Sequence, residues 1–280
     1  MKWSVGVLAF SLAAMLALAS TDSASNHVSK GESLFAAGDF DGAIKEFRQA
    51  VHLNPRSSKE HFELGLALKA KGDLDGAASE YREAIRIEPG LAEAHANIGS
   101  ILQMQGDLDE AISEYRDAIR LKPNLALAHA DLGSALRVRR KLDEAIFELR
   151  EALRLEPGLA SAHRDLGFSL ALKRDMDGAI IELREAVRLD PAMFEAHAGL
   201  GSALQAKGKL DDAITEFLEA VRLDPQSAKA HSSLASAYFM KGDKDKAEAE
   251  SAIAVKLDPK LKPPTPGKRS GQPHPVGPGQ

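Results

Sequence analysis

Residues 92–125 read AEAHANIGSILQMQGDLDEAISEYRDAIRLKPNL, and this pattern recurs seven times along the 280-residue chain. The copies follow one another every 34 residues without an insertion or a deletion. A fixed period of this length is typical of proteins that stack one small structural unit many times. Seven prolines mark the period: Pro55, Pro89, Pro123, Pro157, Pro191, Pro225 and Pro259.

We number each repeat so that its proline is position 32. Positions 20 and 27 are then alanine in every repeat, and position 8 is glycine in six repeats and alanine in the seventh. The apolar and small residues have the spacing of two amphipathic helices. Glycine at position 15, often followed by aspartate, predicts the turn between them, and the proline ends the second helix. Each repeat is therefore predicted to be a helical hairpin. The repeats span residues 24–57, 58–91, 92–125, 126–159, 160–193, 194–227 and 228–261.

The repeated residues resemble the tetratricopeptide repeat (TPR). The resemblance is carried by apolar-Gly at positions 7 and 8, Ala at 20 and 27 and Pro at 32, as in the stretch from Ala94 to Pro123. It covers residues 24–259 and implies an all-α fold, a right-handed superhelical TPR solenoid whose first helices line a concave groove. Members of this family are mostly protein-binding scaffolds, so the resemblance implies a binding function.

Position 4 departs from the family pattern because it is histidine in every repeat. A ladder of metal sites is one interpretation, but equivalent residues of stacked helix pairs stand about 10 Å apart, too far to share one zinc ion. We therefore predict no metal, and a half-buried imidazole packed between paired helices. If these rings are neutral, their protonation should loosen the array. The column comprises His27, His61, His95, His129, His163, His197 and His231.

The carboxylates of the second helices also recur. Glutamate stands at position 23 of every repeat, and five repeats pair an acid at position 26 with arginine at 29. We interpret these positions as a solvated outer face, where such pairs contribute little. No phosphate-binding loop, nucleophile motif or metal-binding motif occurs in the sequence. The sequence therefore predicts no catalytic residues and no cofactor. We expect a protein that is not an enzyme.

The residues that determine which partner is bound are expected where the repeats differ. The most variable positions are 2, 5, 9, 12 and 13 of the first helix. These positions hold five basic and three acidic residues, a formal charge of +2 in a chain of −5. Such a groove favours an extended protein or peptide partner with acidic and apolar side chains. The predicted groove residues are Lys59, Phe62, Leu66, Lys69, Met104, Arg137, Val138, Arg164, Phe168, Leu172 and Phe239.

In repeats 4 and 5 the usual Gly-Asp turn becomes Arg139-Arg140-Lys141 and Arg174-Asp175. One interpretation is a basic patch that contacts an anion or an acidic partner, and the other is a solvated helix end where cations favour the helix dipole. The sequence leaves both open. The patch comprises Arg139, Arg140, Lys141, Lys173 and Arg174.

The two ends of the chain differ from the repeats. Lys2, an uncharged run and Ala17-Leu18-Ala19 predict a signal peptide over residues 1–19, or an uncleaved membrane anchor. The protein is therefore expected to be exported, periplasmic or secreted, or held at the inner membrane by this segment. Residues 262–280 are rich in proline and glycine and are predicted to be disordered.

These features predict an exported, monomeric protein-interaction scaffold or assembly factor. An alternative is a non-catalytic TPR subunit that acts in trans with an enzyme such as a glycosyltransferase. A self-assembling structural protein is disfavoured because Lys244, Glu248 and Ser251 replace apolar residues of the last helix, which is expected to face water as a capping repeat. Nucleic acid is not expected, since the net charge is −5 and aromatic residues do not accompany the basic ones.

Overall fold

A computed structural model describes residues 23–261 of the protein, which form fourteen helices and no strand. The predicted signal peptide and the predicted disordered tail lie outside these residues. None of the described helices is long and apolar enough to cross a membrane. The helices are α1 (residues 23–36), α2 (Phe40–Leu53), α3 (Ser58–Lys71), α4 (Leu74–Ile87), α5 (Ala92–Gln105), α6 (Leu108–Leu121), α7 (Ala126–Val138), α8 (Leu142–Leu155), α9 (Ala160–Leu172), α10 (Met176–Leu189), α11 (Phe194–Ala206), α12 (Leu210–Leu223), α13 (Ala228–Lys241) and α14 (Lys244–Leu257).

The helices divide into two compact units, one ending at Pro157 and the other beginning at Gly158. The first unit holds α1 to α8 and the second holds α9 to α14. Within each unit, from α2 onward, successive helices pack against each other. The first helices of neighbouring repeats also touch, as α5 with α7, α9 with α11, and α11 with α13. Side chains of adjacent first helices can therefore share one surface within a unit.

In four of the seven hairpins the turn consists of glycine followed by aspartate. Gly72 ends α3 in the left-handed conformation (φ 90°), where a residue without a Cβ is favoured. The next residue, Asp73, begins α4 by accepting a hydrogen bond from the Gly76 amide at 3.0 Å. In repeats 4 and 5 the left-handed position is occupied by Arg140 (φ 61°) and Arg174 (φ 67°), so these two basic turns carry backbone strain.

The glycine at position 8 lets the two helices of a repeat pack closely. A Cβ added at Gly99 would lie 2.8 Å from Cε1 of Tyr115, the buried residue at position 24 of the same repeat. The six repeats with this glycine place tyrosine, phenylalanine or leucine at position 24. Repeat 7 makes the opposite exchange, with Ala235 at position 8 and Ser251 at position 24, both of them buried. A large side chain at position 24 thus requires glycine at position 8, and a small side chain at position 24 leaves room for alanine.

The last helix is only partly as predicted. Lys244 and Glu248 are exposed on α14, as expected. The expectation that Ser251 faces water is wrong, because this residue is buried. The small side chain accommodates Ala235 in place of the usual glycine.

Candidate partner-binding face

The first helices carry the surface on which the sequence predicts a partner. We call the residues at positions 2, 5, 9, 12 and 13 of each repeat the first-helix face. Three predicted residues of this face, all at position 13, are exposed apolar side chains: Met104 (65%), Val138 (50%) and Leu172 (41%). Leu127 and Met240 on the same face are exposed as well. Exposed apolar side chains at equivalent positions suit contact with a partner.

In repeat 2 the predicted residues are held by neighbours within the fold. The ring of Phe62 packs on that of Tyr81 with centroids 5.6 Å apart, and Leu66 is partly buried against the core. Lys59 Nζ lies 3.2 Å from Glu32 Oε1. Packing thus holds Phe62 and Leu66 in place, whereas the Lys59 side chain stays exposed.

Lys69 joins two repeats. Its ammonium donates hydrogen bonds to Asn97 Oδ1 and to Ser100 Oγ, both at 3.0 Å. Burial lowers the pKa of the Lys69 ammonium, while the charge of Asp131 acts in the opposite direction. Burial raises the pKa of Glu63, and the nearby Glu32 adds to this effect. The first helices of repeats 2 and 3 therefore carry partly buried polar groups, of which Lys69 is hydrogen-bonded to Asn97 and Ser100.

The second unit has a different surface, an apolar recess of about 450 Å³ between α9, α11 and α13. Phe168 and Ala171 form one wall, and Ala198 and Ser202 lie on α11. Gly199 lets the ring of Phe168 pack against the backbone of α11, because a Cβ at this position would lie 2.3 Å from Phe168 Cε1. Phe168 belongs to the predicted groove, whereas Gly199 lies at position 6, outside the predicted stripe. The replacement of a polar residue by glycine at position 6 is the sequence signal that could have indicated the recess.

The remaining predicted groove residues lie on the first helices α7, α9 and α13. Arg137 is half-buried on α7. Arg164 on α9 donates from Nε to Oδ1 of the buried Asp165 at 3.1 Å. Phe239 is half-buried on α13.

The predicted basic patch is divided between the two units. Arg139, Arg140 and Lys141 are exposed in the first unit, while Lys173 and Arg174 are exposed in the second. The Arg139 guanidinium donates to Asp109 Oδ2 at 2.8 Å, in the preceding repeat.

This ion pair is one of a series. Position 14 of one repeat pairs with the aspartate at position 18 of the preceding repeat, and Lys207 Nζ lies 3.0 Å from Asp177 Oδ2 in the same way. Lys71 with Asp41 and Lys241 with Asp211 repeat the arrangement. Arg139 therefore takes part in a regular contact between repeats.

Each histidine at position 4 is paired with a glutamate. Each Nδ1 lies 2.6–2.7 Å from an Oε2 of the glutamate at position 23, on the second helix of the same repeat. The interpretation of position 23 as a solvated face is therefore wrong, since these carboxylates tie the two helices together. Within residues 23–261 no group of three acidic or histidine side chains is arranged to hold a metal ion. The pairs are His27–Glu46, His61–Glu80, His95–Glu114, His129–Glu148, His163–Glu182, His197–Glu216 and His231–Glu250.

The surroundings of His129 act against the condition that its imidazole is neutral, because they raise its pKa. The hydrogen bond with Glu148 raises the pKa of His129, the carbonyl of Pro123 and the charge of Glu151 add to this, and burial opposes it. The protonated ring is thus the favoured partner of the carboxylate.

Comparison with known sequences identifies the family. A tetratricopeptide repeat model matches residues 28–92 and 130–194, and a TPR repeat model matches residues 104–137 and 203–242. The chain therefore belongs to the tetratricopeptide repeat family, which confirms the resemblance and the all-α solenoid fold. No curated protein matches the sequence.

Solved structures of similar fold include two proteins at 26% identity. One is MamA, aligned over 58% of this chain and 95% of MamA with a TM-score of 0.53. The other is YrrB, described as a TPR protein with an unusual peptide-binding site, aligned over 65% of this chain and 94% of YrrB with a TM-score of 0.56. The pilF protein of Pseudomonas aeruginosa, at 21% identity, shares the fold over 73% of this chain and 93% of its own with a TM-score of 0.66. Fold and neighbours support a protein-interaction scaffold.

Proposed function

We propose that the protein is an exported scaffold or assembly factor that binds an extended segment of a protein partner along the first-helix face. The observation that carries this proposal is the apolar recess on that face in the second unit, lined by residues of three first helices. The exposed side chains of Met104, Val138 and Leu172 add apolar contact area at one repeat position. YrrB, a similar TPR protein, is described as having a peptide-binding site.

The chemistry of the face indicates the partner. Apolar groups in the recess and at position 13 favour a segment with bulky apolar side chains. The surplus of basic over acidic residues on the face favours acidic side chains between them. The partner is thus proposed to be a protein or peptide that is both apolar and acidic.

Export is proposed from the first nineteen residues. Lys2 followed by an uncharged run and by Ala17-Leu18-Ala19 fits a signal peptide. Fractionation of cells that produce the full-length chain, with sequencing of the mature N-terminus, tests this proposal. Cytosolic protein that begins at residue 1 would contradict it, and full-length protein in the membrane fraction would identify the anchor.

Selection from a random peptide library tests the binding proposal. Peptides selected on the full chain are compared on two variants with three substitutions each. The first variant removes exposed apolar groups of the first helices and is expected to lose binding. The control removes groups of similar exposure from the second helices and is expected to keep it. The first variant is Met104→Ser, Val138→Ser, Leu172→Ser, and the control is Phe147→Ser, Ile181→Ser, Leu218→Ser.

Binding to the two variants can also contradict the proposal. Peptides that still bind the first variant but not the control would place the interaction on the second helices. An absence of any selected peptide would remove the support for recognition of an extended segment. Thermal unfolding of both variants ensures that lost binding is not lost structure.

A further inference from the structure

The recess of the second unit owes its shape to one glycine. Position 6 carries a polar side chain in the four preceding repeats, as Glu63, Asn97, Asp131 and Asp165. Gly199 has none, so the ring of Phe168 lies against the backbone of α11. Small residues at Ala198 and Ala206 keep the space above this ring open. A volume of about 450 Å³ lies at the lower end of the range of roughly 300–1000 Å³ for ligand pockets.

Two opposite charges line the same recess. Glu195 on α11 and Lys229 on α13 are exposed, and within residues 23–261 neither takes part in an ion pair. Both stand at position 2 of their repeats. In earlier repeats the charges at position 2 do have partners, since Lys59 pairs with Glu32 at 3.2 Å and Glu93 with Lys122 at 2.7 Å. Glu195 and Lys229 are therefore available to an external group of opposite charge.

From these observations we propose that the recess holds one bulky aliphatic side chain of a bound peptide, such as leucine or methionine. Glu195 and Lys229 then bind a basic and an acidic residue beside that side chain. The inference rests on the proposed function, because it names the chemistry of the segment bound on the first-helix face. An apolar floor with two unpaired charges fits such a segment, whereas a wholly apolar segment would leave both charges without partners.

Fluorescent capped peptides with the central sequence Lys-Leu-Glu or Glu-Leu-Lys are the probes, and their binding to the full chain is followed by polarisation. Replacing the central Leu by Gly is expected to weaken binding about tenfold, because one buried aliphatic side chain is lost. Filling the recess with Ala198→Trp is expected to reduce binding by a similar factor. Ala249→Trp is the control, because Ala249 is exposed on α14, a second helix of the same unit that lies outside the first-helix face. It is expected to leave binding unchanged.

Charge recognition is tested separately. Peptides with central Glu-Leu-Glu are expected to bind the wild type more weakly than those with Lys-Leu-Glu. Glu195→Lys should reverse this order, since the recess is then lined by two positive charges. Ser202→Trp, at another exposed lining residue, repeats the filling test if Ala198→Trp unfolds.

The outcomes separate this inference from the proposed function. If library-selected peptides bind the first-helix face and Ala198→Trp and Ser202→Trp do not weaken them, the recess is not the anchor and only the inference fails. If the probes bind equally with Leu or Gly at the centre, the inference fails too. If selected peptides are affected neither by the first-helix substitutions nor by Ala198→Trp and Ser202→Trp, the proposed function fails with it.

Discussion

The imidazole Nδ1 of His129 lies 2.6 Å from Oε2 of Glu148, so a side-chain pair joins the two helices of repeat 4. The other ring nitrogen, Nε2, lies 3.0 Å from the carbonyl oxygen of Pro123, at the end of the preceding repeat. Both neighbours are hydrogen-bond acceptors, and only the protonated ring can donate to both at once. One side chain therefore connects both helices of a repeat to the repeat before it. His61, His197 and His231 make the same pair of contacts.

The raised pKa of His129 predicts a pH-dependent contribution to stability. A histidine whose pKa is higher in the folded than in the unfolded state stabilises the folded protein. This contribution is fully present at pH values below the pKa of the unfolded state. That contribution is lost as the pH rises through the folded value. The protein is therefore expected to lose stability relative to His129→Gln as the pH increases from 5.5 to 8.5. We expect a change on the order of 1 kcal/mol, as for a partly buried charge-assisted hydrogen bond.

Urea denaturation of both proteins at several pH values measures this difference. His52→Gln serves as the control because His52 is exposed at the end of α2 and is not one of the paired histidines. A cost of His129→Gln that stays constant or grows with pH would contradict the assigned direction.

The left-handed conformation of Arg140 and Arg174 predicts a gain in stability on replacement by glycine. Five other repeats place glycine at this position, with φ between 74° and 94°. Each change removes strain but increases the entropy of the unfolded chain, so Arg140→Gly should stabilise by about 0.5–1 kcal/mol. Gly72→Arg, the reverse change in repeat 2, should destabilise. The midpoints of chemical denaturation check both signs, and an Arg140→Gly protein less stable than the wild type would refute the argument.

The exchange between positions 8 and 24 predicts an energetic coupling. A Cβ at Gly133 would lie 2.5 Å from Cγ of Leu149. Gly133→Ala should therefore destabilise by about 1–3 kcal/mol through overpacking. The same substitution should cost much less in a Leu149→Ala background, as Ala235 beside Ser251 in repeat 7 suggests. A double-mutant cycle measures the coupling, and additive costs would show that the two positions do not compete for space.

The sequence predicts the helices well because their signals are local. Glycine and aspartate at the turn and the spacing of small residues act within a few positions, and the structure follows them. The pair between His129 and Glu148 escapes such reasoning because its members are 19 residues apart on different helices. Taken alone, His129 is interpreted as a packed ring and Glu148 as a solvated acid. Only the rotation of one helix against the other brings the two side chains together.

The first-helix face was also only partly predictable from the sequence. Its position follows from the variable stripe of the first helices, which the period defines. The recess depends on the contact between Phe168 and the backbone at Gly199, in neighbouring repeats. A pattern along one helix does not report such a contact. The two unpaired charges at Glu195 and Lys229 become apparent only when the ion pairs of the other repeats are known.

The basic turn of repeat 4 can be tested against a matched position. Arg139 and Lys207 both stand at position 14, and each pairs with an aspartate of the preceding repeat, at 2.8 Å and 3.0 Å. These exposed pairs contribute little, so Arg139→Ala and Lys207→Ala should each change stability by less than about 1 kcal/mol. If the basic turn contacts an acidic partner, only Arg139→Ala should weaken binding of acidic library-selected peptides, and more so at low salt. Equal effects of the two variants on binding would favour a solvated helix end, since the ion pair is the property that the two positions share.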